Sequence, residues 1–322
     1  MQLWTQINRV IVTSAPVSFL IRKSKKILLP GFRGIPLFDV VRFFFEQARK
    51  TGFTERASAI AFNFTMAIPP AIIFLFTMVP YLPISKDFIH QMFGLVRDVV
   101  PGEKNNEGVI KFLSDMLSKP RTGLLSTGFI LALFFSSNAV MGIMRSFDKN
   151  YVGFKKRRGL HRRWVALRLT SILFILFFIA IAALILQGSV LRWLGVKNST
   201  VITIIHNLRW VVIVVMFFFS ISFIYRYAPA VIKRWRLINP GSIFATFLMI
   251  FFTAGFSYYV SNFSNYNELY GSISTVLILM LLIYFNSLVL LIGFELNVSI
   301  NSLKHEVDER NRVQASGHHG GA

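Results

Sequence analysis

Three charged residues sit at the ends of long apolar stretches: Arg145, Arg226 and Glu295. A charge at the edge of hydrocarbon is costly to bury, so such residues are either paired with one another or placed for function. Counting 1.5 Å per residue, Glu295 lies roughly 33 Å into the last apolar stretch, near its far end. Arg145 closes the second stretch and Arg226 the fourth, so all three are expected at one depth. One carboxylate and two guanidiniums there make either an ionic gate with an anion-binding role or an ion pair that locks helix ends. A second set is neutral: Asn63, Asn138 and Asn286. Their depths put them in the same half of the membrane, where they either line a water-filled cavity or hydrogen-bond between helices as packing contacts. Pro69 and Pro70 remove two backbone donors near the middle of the first stretch and are expected to break that helix, as at many transporter sites.

The elements that must hold these groups are membrane helices. Of 322 residues, 54% are hydrophobic and 34 are phenylalanine, with a mean hydropathy of +0.57. Six apolar runs of about 20 residues, the length that spans ~30 Å of hydrocarbon, explain the excess. They fall near 57–80, 124–147, 165–187, 210–227, 242–261 and 273–296. Barrel strands would be half as long and alternate polar with apolar residues, which these do not. The fold expected is therefore an all-α integral membrane protein of six transmembrane helices, with an N-terminal interfacial helix and a helical outer loop.

Residues 1–35 form a basic N-terminal segment broken by Pro16, Pro30, Gly31 and Gly34. The membrane domain runs over 36–300 and opens with an amphipathic helix at 36–52, where Leu37, Val40, Val41, Phe44 and Ala48 recur at helical spacing. The long loop 81–123 carries two amphipathic patterns around Pro101-Gly102. It is read either as a structured outer cap, a surface for an envelope protein partner, or as helices lying on lipid. Asn239-Pro240-Gly241 reads as an N-cap followed by proline at the first helical position. The tail 301–322 is expected to be disordered.

The net charge of +21 would suggest nucleic acid in a soluble protein, but its distribution gives another reason. The N-terminus to Arg56, the loops at 145–168 and 226–239, and the tail hold 26 Lys and Arg against 8 Asp and Glu; the remainder holds 9 and 6. That asymmetry places both termini in the cytoplasm by the positive-inside rule. Lys155, Lys156, Arg157, Arg158, Arg162 and Arg163 crowd one loop and are expected to contact anionic lipid headgroups, at about 1 kcal/mol each. No nucleic-acid partner is needed, and no feature fixes an oligomeric state.

Enzyme constellations are missing. There is no GxSxG, GxxxxGK[ST], GxGxxG or HExxH pattern, and no cysteine. No metal site and no cofactor are expected, and the chain is not read as an enzyme.

Several segments resemble one family. They are Arg56-Ala-Ser-Ala-Ile-Ala-Phe62 leading to Pro69-Pro70, Asn138 through Arg145 and Tyr151, Tyr225-Arg-Tyr-Ala-Pro229, Pro240-Gly241 with Ala245-Thr246, Tyr270-Gly-Ser272, and Gly293-Phe-Glu-Leu-Asn297. In order and spacing they resemble the YihY/BrkB family of bacterial inner-membrane proteins, formerly labelled ribonuclease BN. The chain departs from that pattern at Phe62-Asn63, where a tyrosine pair is usual, and at Arg145-Ser146, where Arg-Pro is usual. The resemblance implies a multi-pass inner-membrane protein and treats the nuclease label as a misassignment. It links members to serum resistance and to envelope lipid transport. The function expected is transport or lipid translocation through a cytoplasm-facing polar cavity. The alternatives are a non-transporting scaffold for envelope partners and, third, a membrane enzyme.

Overall fold

The computed structural model describes residues 19, 22–27, 31–32, 34–50, 52–81, 114, 121–148, 157, 159–193, 199–232, 234–263 and 273–317. The outer cap expected over 81–123 lies almost wholly outside them.

The described elements are helical. An amphipathic helix α1 (Leu37–Lys50) leads to α2 (Phe53–Met78), which ends in a 3-10 turn, Val79–Tyr81. Then follow α3 (Thr122–Phe147), α4 (Gly159–Trp193), α5 (Ser199–Tyr227), α6 (Pro240–Phe263) and α7 (Ile273–Gly317). Five of these, α2, α3, α4, α6 and α7, are long and apolar enough to cross a membrane, and α5 contains a shorter apolar stretch, Val211–Tyr227. Large apolar side chains such as Ile130, Ile179, Phe247 and Phe251 remain exposed on their flanks. In water such a surface would associate; in a bilayer it faces lipid, and the helix satisfies its own backbone.

Each helix from α2 to α6 packs on the next, and α7 returns to pack along α2. The result is a closed ring of six helices in sequence order, with alternating direction. One end of the ring carries Arg56, Arg145, Arg162, Arg163, Arg226 and Arg234, and is called the basic end below. The larger buried core cluster reaches this end too. Phe147 and Phe294 stack at 3.9 Å between ring centres, with Tyr225, Trp235, Ile60, Ile143 and Leu169 around them.

Two expectations change. Pro69 and Pro70 do not break α2, which runs through both. Each proline removes one i→i−4 bond, and the remaining ladder carries the helix past the gap. The tail is not disordered as far as Gly317, because α7 simply continues beyond its span. Extending an existing helix requires no new nucleation, and Ile300 and Leu303 anchor the extension against Val40 and Leu37 of α1. Helix α1 thus docks on protein through Val40 while Val41 and Phe45 stay exposed.

Candidate functional site

Between the helices of the ring lies a partly open cavity of about 600 Å³, lined by residues from all six helices. Helix α2 contributes Phe64, Ala67, Ala71 and Phe74; α4 contributes Phe174, Phe177 and Phe178. Val140, Ile143, Ile221, Ile224, Met249 and Leu290 belong both to this lining and to the packed core at the basic end, so they form the cavity floor on that side. Among the described residues, no charged side chain lines it, and only Ser136, Thr170, Ser220, Asn286 and Ser287 of the lining are polar. Three of these hydroxyls already donate to carbonyls of their own helices: Thr170 to Ala166, Ser220 to Met216 and Ser287 to Ile283. Asn286 shares hydrogen bonds with Thr253 of α6 at 3.3–3.4 Å. The cavity therefore offers apolar surface and few unclaimed polar atoms, a poor home for water and a good one for hydrocarbon.

Of the three asparagines, only Asn286 lines this cavity. Asn63 donates to Ala59 O at 2.7 Å and lines a separate hollow between α2 and α3. Asn138 accepts from Arg163, whose guanidinium also lies 4.4 Å from the Phe134 ring centre. Asn138 and Asn286 thus join helices.

Arg145, Arg226 and Glu295 all lie at the basic end of the ring. Arg145 is exposed in the α2–α3 hollow. Arg226 lies 5.7 Å from the Tyr227 ring centre, and its buried Nε has no hydrogen-bond partner among the described residues. Glu295 is buried on α7 beside Phe294.

Three of the six basic loop residues are described, and all three are engaged with protein. Arg157 donates from Nη1 to the carbonyls of Tyr227 and Ala228, and from Nη2 to that of Pro229. It caps the end of α5, where helix carbonyls lack intrahelical donors and the macrodipole favours a cation. Burial lowers the pKa of this guanidinium, with Asp148 opposing the shift. Arg162 pairs with Asp148 at 2.6 Å, and Arg163 reaches Asn138. Lys155, Lys156 and Arg158 lie outside the described residues.

An interlock near Glu295 was not anticipated beyond its N-cap. Asn239 Oδ1 accepts from Ser242 N at 2.8 Å and so caps α6 as its sequence indicates. Asn297 of α7 adds a second cap, accepting from Gly241 N at 2.9 Å and donating to Asn239 Oδ1 at 2.6 Å. Gly241 and Gly293 let α6 and α7 touch: a Cβ on Gly241 would collide with Gly293 O, and one on Gly293 would collide with Tyr225 Oη and approach Ala245 Cβ to 2.6 Å. The sequence signal was the small-xxx-small pair Gly241 and Ala245 facing Gly293, with Asn297 one turn on.

A closed ring of apolar helices around an apolar lumen defines a multi-pass membrane protein. The chain belongs to the virulence factor BrkB family, whose model matches residues 44–317. It is similar to a Bacillus subtilis protein carrying the ribonuclease-like label YfkH, 29% identical over 263 residues, which cover 79% of this chain and 92% of that protein. It is also similar to UPF0761 membrane proteins of Xanthomonas axonopodis and Xanthomonas euvesicatoria. Each is 35% identical over 89 residues, 28% of this chain and 21% of the relative. No solved structure matches the chain. Among the described residues, no group of three or more His, Asp or Glu is placed to hold a metal ion.

Proposed function

We propose that this protein handles lipid, taking an acyl chain into the lumen of its helix ring in the course of translocating or presenting an amphiphile in the cell envelope. The observation that carries this reading is the lumen itself: about 600 Å³, lined by six helices and, among the described residues, by no charged side chain. Its size falls among ligand cavities, roughly 300–1,000 Å³, and its chemistry suits hydrocarbon. The polar, water-filled pathway expected from the asparagines gives way to an apolar one. In this reading the basic end faces the cytoplasm of an inner-membrane protein, as the 26 basic residues on that side against 9 on the other support.

A non-transporting scaffold calls for a closed bundle, and the cavity weighs against it. The ribonuclease-like label of the Bacillus relative draws no support from a lumen whose described lining holds no titratable group.

Cavity-filling substitutions test the proposal. Ala71→Phe and Ser136→Leu place bulk in the lumen at residues that line it. Native mass spectrometry of protein released from nanodiscs should show lipid retained by the wild type and lost from the double variant. Exchange of labelled lipid between the leaflets of reconstituted vesicles should fall with it. Retention and exchange at wild-type levels in a normally folded double variant would sink the proposal.

A further inference from the structure

The geometry points to a phosphoryl-binding site, separate from the lumen, in the hollow between α2 and α3 at the basic end. The hollow has a volume of about 260 Å³ and is lined by Glu55, Arg56, Ala59, Asn63, Gly142, Arg145 and Ser146. These residues occupy a different face of each helix from those that line the lumen. The lumen takes Phe64, Ala67 and Ala71 from α2 and Ala139, Val140 and Ile143 from α3, whereas the hollow takes Ala59, Asn63, Gly142 and Arg145.

Local structure builds the site. Gly142 leaves room for the Asn63 amide, since a Cβ there would approach Asn63 Nδ2 to 3.2 Å. Arg56 is anchored through Nη1 to Ser146 O at 3.2 Å, at the end of α3 where carbonyls lack helical donors. This holds its guanidinium at the hollow with its other N–H groups uncommitted among the described residues. Arg145, on α3, makes no hydrogen bond or ion pair among the described residues and is exposed. Two guanidiniums from different helices against one carboxylate, Glu55, leave the hollow with a net positive charge.

Guanidinium forks match the oxygens of a phosphoryl group and hold it bidentately. Arg56 lies in the first turn of α2 and Arg145 in the last turn of α3, the depth at which headgroup phosphates border the hydrocarbon. An anionic glycerophospholipid and a free phosphate share this chemistry, and both enter the test.

Full-length protein in nanodiscs of phosphatidylcholine containing phosphatidylglycerol is compared with Arg145→Gln, Arg145→Lys and Glu55→Gln. Arg145 and Glu55 are exposed, so these variants are expected to keep the wild-type melting temperature. Native mass spectrometry should show phosphatidylglycerol selectively retained by the wild type. Retention should weaken about ten-fold in Arg145→Gln, the effect of losing one charged hydrogen-bonding partner. It should recover in part in Arg145→Lys and strengthen in Glu55→Gln. Inorganic phosphate is titrated in a lipid-free detergent arm. Thermal protection there that is lost in Arg145→Gln, without selective phosphatidylglycerol retention, assigns the site to a soluble phosphate. Equal retention in wild type and Arg145→Gln, with no protection by phosphate, overturns the assignment.

Discussion

Tyr225 donates its hydroxyl to the backbone carbonyl of Leu290 at 2.7 Å, and the same oxygen occupies the space that a side chain on Gly293 would need. One side chain of α5 therefore both bonds to α7 and relies on its missing Cβ. Tyr225→Phe is expected to cost about 1 kcal/mol, the net value of one hydrogen bond. Gly293→Ala should cost more, because Ala245 and Gly241 crowd the same spot from α6. Thermal unfolding in detergent measures both. Adding Tyr225→Phe to Gly293→Ala should recover part of the loss, since it removes one of the colliding atoms. A Gly293→Ala protein as stable as wild type would disprove the close approach.

Asn239 and Asn297 cap α6 as a pair, and their coupling is measurable. Either residue changed to alanine should lower stability by about 1 kcal/mol, the usual value of an N-cap. Because Asn297 Nδ2 donates to Asn239 Oδ1, the double variant should lose less than the sum by at least about 0.5 kcal/mol. Additive losses would show that the two caps act independently.

Arg157 holds three carbonyls at the end of α5. Arg157→Gln is expected to destabilise that end by about 2 kcal/mol. Arg157→Lys should restore only part of this, because a single ammonium cannot reproduce the planar fork. Limited trypsin digestion reads the effect directly: the basic segment 149–163 should be cut faster in Arg157→Gln than in wild type. Unchanged cleavage would mean that the cap does not secure the segment.

Pro69 and Pro70 sit within a continuous α2, next to Ala67 and Ala71 of the lumen. Pro69→Ala with Pro70→Ala restores two backbone donors and should raise the unfolding midpoint while keeping the ring. A lower midpoint would mean that the prolines shape α2 in a way that the rest of the packing requires.

The membrane helices were legible because hydrocarbon thickness demands long apolar runs, and those runs are present. The N-cap at Asn239 was legible because its side chain acts within four residues. Rotation about each helix was not. Rise along the axis put Arg145, Arg226 and Glu295 at one depth, but it does not say which residues of different helices face one another. The same holds for Asn63, Asn138 and Asn286, which have three different sets of neighbours. The lumen was hidden for a related reason. Its lining comes from apolar positions that look like any others in the runs that contain them, and only the closing of the ring distinguishes the inside from the lipid side. The helical tail was missed because composition alone does not show that it continues an existing helix and docks on α1.

Ring closure by α7 also sets the order of manufacture. Each earlier helix can find its neighbour as it leaves the ribosome, but the seam between α2 and α6 stays open until the last segment is threaded into the bilayer. Until then, the surfaces that become the lumen face the surrounding membrane. A chain stopped before Ile273 would lack the helix that joins α2 to α6 and would be an open trough with no inside.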